Sequence, residues 1–230
     1  MTLGDVLGVT AAGVVAGVDL VTVPQAMTGR PLVAAFVGGW IAGSPLHGLV
    51  VGAVLELFAL ETLPVGVSRY PDWGPPSVAA GALFAPDRLH AVPFWPSLVG
   101  VVLVAGLVAW IGGYALGLVR RANGAAIVRR CAALDAGDPK ALIQLQAGGF
   151  VRDAGRAALL TVVALGAGGV VVGVVAALWR APAVVAQAVL LTVAAGVGAA
   201  SVWRLFGRGR NARWLLAGAA LGTAAALVAA

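Results

Sequence analysis

The chain has 230 residues, of which 61% are hydrophobic and only 10% charged, and its formal charge is +6. A soluble domain carries about 25% charged residues, so the composition excludes that class and points to an all-α polytopic membrane protein. The positive charge does not mark a nucleic-acid binder, because the basic residues crowd into loops between apolar runs and no basic surface interleaved with aromatics appears.

Taken in chain order, the first segment, Met1-Thr2-Leu3-Gly4-Asp5, lacks the positive region a secretory signal needs. Residues 6–18 form an apolar run too short to cross a bilayer alone, since a spanning helix needs about 20 residues. Asp19 interrupts its continuation, and Pro24 breaks it again before Arg30-Pro31. The next uncharged stretch, residues 31–55, is split at Gly43-Ser44-Pro45. Beyond it come Glu56, Glu61, Pro64, Gly66 and the polar loop Ser68-Arg69-Tyr70-Pro71-Asp72-Trp73-Gly74-Pro75-Pro76. Short apolar half-spans broken by Gly and Pro are the sequence signature of a transporter binding site. Non-helical backbone at membrane depth survives only where protein or a water-filled cavity covers it. The N-terminal half therefore reads as re-entrant hairpins and broken helices.

The C-terminal half reads as full transmembrane helices, with uncharged runs at 97–119, 157–179, 181–203 and 214–230. Arg120, Arg121, Arg129, Arg130, Lys140, Arg152 and Arg156 fill the first connection, and Arg204, Arg208, Arg210 and Arg213 the third. Short basic loops face the cytoplasm, which leaves Arg180-Ala181-Pro182 as an external turn and the C-terminus outside. Within 120–156, residues 125–134 continue a helix, and Asp138-Pro139 offers an N-cap followed by proline at the first helical position. Residues 141–146 form a second short helix at the cytoplasmic interface, ending at Gly148-Gly149. The chain divides into a substrate-site half (1–93), a span with a basic cytoplasmic segment (94–156) and the C-terminal spans (157–230), all in one membrane unit. Cys131 is the single cysteine, which rules out an intrachain disulfide.

Both glutamates of the chain, Glu56 and Glu61, lie in the apolar stretch 46–67. A charged side chain at the bilayer centre costs roughly 2.5–3.5 kcal/mol on insertion scales, so the pair marks an intramembrane polar site. Here the sequence resembles a known family, the IIC membrane subunit of the mannose/sorbose-type phosphotransferase system. Three features carry the resemblance. Arg30-Pro31-Leu32 opens an apolar segment. Gly48-Leu49-Val50-Val51-Gly52-Ala53-Val54-Leu55-Glu56-Leu57 is a glycine-rich run ending in Leu-Glu. Pro71-Asp72 sits in a Gly/Pro-rich loop before a stretch of small residues.

The resemblance implies a sugar permease subunit of the bacterial inner membrane. It implies pairing with a IID-type membrane subunit, trimeric assembly and an elevator-like motion. Cytoplasmic IIA and IIB phosphocarriers would phosphorylate the arriving hexose or related sugar, and the segment 120–156 would help to dock IIB. No nucleophile, phosphorylation site, cofactor or metal is expected on this chain.

Glu56 belongs to the family motif and is the first candidate for accepting hydrogen bonds from two sugar hydroxyls, with a structural ion pair to Arg30 or Arg69 as the alternative. Glu61 lies about 140° further round an ideal helix, so it shares a pocket with Glu56 only if the helix breaks. Gln25, donor and acceptor at once, and Asp19 complete the expected substrate site, while Asp19 has the alternative of binding Arg30. Arg30, His47, Arg69 and Asp72 are candidate gating or structural residues, and Arg69 and Asp72 are placed to pair with each other. His90 reads as interfacial. Without a second ligand near His47, a zinc site is not expected. The rival reading is a proton-coupled secondary transporter in which Glu56 or Glu61 carries the coupling proton.

Overall fold

The computed structural model describes residues 1–20, 22, 26–60, 70–85, 93–207 and 212–229. Among these, nine helices follow one another: α1 (Leu3–Val18), α2 (Pro31–Ile41), α3 (Pro45–Ala59), α4 (Gly74–Leu83), α5 (Phe94–Arg129), α6 (Cys131–Asp135), α7 (Pro139–Leu178), α8 (Ala183–Phe206) and α9 (Ala212–Ala229). The protein is an all-α polytopic membrane protein, and α5, α7 and α8 are each long and apolar enough to cross a bilayer.

The first four helices are short because the sequence stops them. At 1.5 Å per residue, the 16 residues of α1 rise only about 24 Å against a hydrocarbon core of about 30 Å. Its start is fixed by a capping box, in which the Asp5 N–H donates to Thr2 Oγ1 (3.2 Å) and the Thr2 N–H to Asp5 Oδ2 (2.9 Å). The expected break at Gly43-Ser44-Pro45 separates α2 from α3. Gly43 takes a left-handed φ of +79° there, and Pro45 opens α3 at its first helical position.

The four half-spans pack on one another through missing side chains. A Cβ on Gly52 would lie 2.8 Å from the Leu32 Cα, and Gly48 faces the Ala35 carbonyl more closely still. Gly38 and Gly81 let α4 approach α2 in the same way. Buried Ala35, Val51, Leu55, Phe84, Leu98 and Val101 then form a core shared by α2, α3, α4 and α5. On the far side, α7 leans on α1, where Gly13 admits Thr161 and Gly17 admits Ala157.

Two sequence expectations fail in the connection 120–156. The first is the helical continuation through 125–134, since α5 ends at Arg129, Arg130 leaves the helical conformation and α6 restarts at Cys131. The Asp138 cap forms, its carboxylate accepting the Lys140 N–H at 2.9 Å, and Gly137 turns the chain with φ +74°. The helix that follows, however, is not short. It runs through Gly148-Gly149 without a break and becomes the 40-residue α7. A Gly costs a helix only about 1 kcal/mol relative to Ala. The long apolar run that follows outweighs two such residues.

Candidate functional site

Gly48, Gly52 and Glu56 are spaced four residues apart on α3, so each lies about 40° from the last on one helical face. That face meets α2. The two glycines bring the backbones together, and Glu56 thereby reaches the N-terminus of α2. Its Oε2 accepts the Leu32 N–H at 3.2 Å, and its Oε1 pairs with Arg30 Nη2. Arg30, the N-cap of α2, supplies no side-chain cap of its own. Glu56 fills that role from the neighbouring helix, satisfying an orphan donor and facing the positive end of the helix dipole. Arg30, one of the two expected partners, is observed in the pair, and the other, Arg69, lies outside the described residues.

Asp19 ends α1 and is buried. Its Oδ1 accepts the Ala26 N–H at 2.7 Å and its Oδ2 the Gly29 N–H at 3.2 Å. The carboxylate therefore shapes the turn that returns the chain to α2, where Met27 adopts a left-handed φ of 62°. This is a use for Asp19 besides the expected substrate contact and its alternative, pairing with Arg30.

Between this turn and the loop before α4 lies a cavity of about 240 Å³, lined by Asp19, Met27, Arg30, Tyr70, Pro71 and Trp73 among others. Small-molecule pockets usually run from roughly 300 to 1,000 Å³, so a compact ligand suits it. Its walls combine a carboxylate, a guanidinium and two aromatic rings. Glu56 is not on the wall; it stands behind Arg30 and fixes where that guanidinium points. Tyr70 and Trp73 were not foreseen as wall residues. The signal was in the sequence, where Tyr and Trp sit in a loop beside a broken helix, the amphipathic ring types suited to a wet, half-apolar wall.

His47 lies away from this cavity. Its Nδ1 is 2.7 Å from Ser44 Oγ, and its ring rests against Phe84 and Phe94 at centroid distances of 5.8 and 6.1 Å. It closes the α2–α3 turn and joins an aromatic cluster. Gln25, Glu61, Arg69 and His90 lie outside the described residues.

Asp72 is fully buried, and the structure gives it a cation that the sequence assigned elsewhere. Arg156, counted above among the cytoplasmic loop charges, is buried on α7. It bonds Asp72 Oδ2 through Nη1, Asp153 Oδ1 through Nε (2.9 Å) and Nη2 (2.8 Å), and the Gly17 carbonyl through Nη2 (3.3 Å). Thr22 donates to the other oxygen of Asp153, and the Asp72 N–H donates to the Ala109 carbonyl at 2.9 Å. One guanidinium thus ties α7 to α1 and to the loop carrying Pro71 and Trp73. A second arginine holds the same loop, with Arg120 Nη2 donating to the Tyr70 hydroxyl at 3.0 Å and its guanidinium 5.5 Å from the ring centroid. Among the described residues, no group of His, Cys, Asp and Glu is arranged to hold a metal.

No family model matches the chain, and no curated protein does either. Solved structures do. A structure described only as a membrane protein aligns over 100% of this chain and 94% of its own, with a TM-score of 0.70 and 22% identity. A chain of the mannose transporter ManYZ, determined by cryo-electron microscopy in complex with microcin E492, aligns over 100% of this chain and 94% of its own, with a TM-score of 0.62 and 22% identity. The chain shares the fold of that transporter. The likeness runs from end to end, through the half-spans that build the cavity as well as the long helices, so the broken N-terminal half belongs to the architecture.

Proposed function

We propose that this protein is the IIC-type sugar permease subunit of a mannose/sorbose-type phosphotransferase system. The observation that carries this reading is the end-to-end similarity in fold to the mannose transporter. The Arg-Pro-Leu, Gly-rich Leu-Glu and Pro-Asp motifs support it. In this reading a hexose or related sugar enters between the turn at Asp19 and the loop at Tyr70–Trp73. Aromatic rings cover its apolar face, while Asp19 and Arg30 meet its hydroxyls, with Gln25 and Glu61 as further contacts. Glu56 takes part either by accepting sugar hydroxyls directly, once the site rearranges, or by holding Arg30. The half-spans up to residue 93 form the carrying unit, and the long helices form the frame against which an elevator-like motion works. A IID-type membrane subunit completes the unit and the units assemble as trimers in the bacterial inner membrane, while IIA and IIB proteins phosphorylate the sugar on the inner side.

The deciding experiment is purification of the tagged full chain from its own host membrane, followed by uptake in vesicles. A co-purifying IID-type subunit, with phosphorylated sugar produced only when phosphoenolpyruvate and the soluble fraction are supplied, supports the reading. A homo-oligomer that accumulates unmodified substrate and is stopped by an uncoupler replaces it with the proton-coupled carrier.

A further inference from the structure

A second cavity opens at the basic end of the long helices. It is a groove of about 830 Å³ between the last turns of α5 and the first turns of α7, with α6 at its far end. Leu116, Val119, Leu145 and Phe150 give it apolar walls, and Arg120, Asn123 and Arg152 give it a polar edge. Its volume falls in the upper part of the roughly 300–1,000 Å³ range of small-molecule sites.

The sequence of α5 sets the depth of this groove. The uncharged run 97–119 rises about 35 Å, enough to cross a hydrocarbon core of about 30 Å. Leu116 and Val119 belong to the last turn of that run, so the near end of the groove lies at the level of the acyl chains. Arg120 follows directly, where the headgroups begin. On α7 the uncharged run starts at Ala157, and Arg152 stands just over one turn before it. Two guanidinium groups thus edge the groove at phosphate level, and its apolar wall continues below them into the bilayer. A helix from a soluble protein would have to enter the membrane to fill that end, whereas a lipid has its chains there already.

The charge of the groove selects among lipids. Among the described residues, Asp153 is the single acidic residue on its lining, and that carboxylate is engaged by Arg156 and Thr22. Arg152 spends one donor on Asn123 and Arg120 one on Tyr70, out of the five N–H donors each guanidinium carries. Both forks keep donors for a phosphate, whose oxygens the planar guanidinium matches in pairs. Exposed Arg121, Arg129 and Arg130 add positive charge nearby. A zwitterionic headgroup carries its own cation into that field, and an anionic one does not. Basic pockets between membrane helices are suited to anionic headgroups for this reason.

We infer that the α5–α7 groove binds an anionic phospholipid of the surrounding bilayer. Its phosphate accepts hydrogen bonds from Arg120 and Arg152, and its chains run along Leu116 and Val119. The inference requires a membrane-spanning chain and is independent of the sugar reading. Arg120 nevertheless serves both places, since it also holds Tyr70 on the wall of the smaller cavity.

The test is native mass spectrometry of the detergent-purified full chain, together with any membrane subunit that accompanies it, after addition of phosphatidylglycerol or phosphatidylcholine. At equal lipid concentration phosphatidylglycerol is retained about tenfold more, and Arg152→Gln lowers its retention about fivefold. Arg213→Gln removes the same charge from the start of α9, outside the groove, and leaves retention unchanged. Equal retention of the two lipids, or equal losses in the two variants, overturns the inference. Displacement of phosphatidylglycerol by excess inorganic phosphate also overturns it, because the site then holds a free anion. A second measurement places photoreactive benzoylphenylalanine at Leu145 of the full chain in its own host membrane. The expected adduct has the mass of an anionic phospholipid. A polypeptide adduct, or one with zwitterionic lipid alone, refutes the assignment. If Arg152→Gln does not fold, the wild-type lipid preference and the adduct decide between the same outcomes.

Discussion

The buried cluster of Asp72, Asp153 and Arg156 makes an asymmetric prediction. Its side chains are 1%, 3% and 4% exposed, so none can turn to water without local unfolding. The three formal charges sum to −1. Replacing Arg156 by Gln raises the buried charge to −2 and leaves two carboxylates side by side with no cation, whereas Asp72→Asn or Asp153→Asn lowers it to zero and leaves Arg156 one partner. Removing one member of a buried ion pair costs about 3–5 kcal/mol when an uncompensated charge remains. At roughly 2–4 °C per kcal/mol for a chain of 150–250 residues, Arg156→Gln lowers the melting temperature by about 6–20 °C. The single Asn variants lose much less. The double variant Arg156→Gln/Asp72→Asn returns the charge to −1 and recovers part of the loss, a coupling of about 0.5–3 kcal/mol. Melting of the detergent-purified chain, followed by its seven tryptophans, reads all four. An Arg156→Gln melt within about 4 °C of wild type, the equivalent of roughly 1 kcal/mol, refutes the reasoning, as does an Asp72→Asn variant that falls as far as Arg156→Gln.

Glu56→Gln removes a half-exposed pair worth about 1 kcal/mol or less in stability. Under the proposed function it nonetheless abolishes most sugar uptake, by loosening Arg30; normal uptake kinetics in that variant remove Glu56 from the site. Gly48→Val forces a side chain against the Ala35 carbonyl, and overpacking of this kind costs about 1–3 kcal/mol, so size-exclusion profiles should show less folded protein while Gly106→Val, where an added Cβ meets no neighbouring atom within 4 Å, changes little. Under the proposed function Trp73→Ala should raise the sugar KM, measured by uptake over a concentration series, and should also lower the melting temperature because the ring packs against the core; an unchanged KM places the sugar elsewhere. Asp19→Asn keeps the volume but gives up part of the backbone bonding of the carboxylate, at about 1–3 kcal/mol for a buried donor left unpaired, and a melt equal to wild type would show that the turn at 26–29 does not depend on it.

The helices were legible because their signals are strong and local. Uncharged runs of about 20 residues, a proline after Ser44 and the Asp138-Pro139 pair each specify an element without reference to the rest of the molecule. Glu56 was legible for a similar reason, since a carboxylate in an apolar run must find a partner, and Arg30 stood among the few cations within reach. What stayed hidden depends on which residues the packing brings together. The cavity wall at Tyr70 and Trp73 comes from a loop about fifty residues from Asp19, joined to it only when α4 packs on α1. Arg156 shows the limit most clearly. In sequence it is one more positive residue at the end of a basic connection, and a charge count treats it as an orientation signal equal to Arg121 or Arg129. Its real environment is fixed by Gly17, which brings α1 against α7 at Ala157, and by Asp72, 84 residues away. The charge rule for membrane orientation sums residues without asking which are already neutralised inside the protein. Take Arg156 out of that sum and the connection 120–152 is still basic, so the charge rule gives the same orientation, but the arginine itself is buried where α7 meets α1 and the loop before α4.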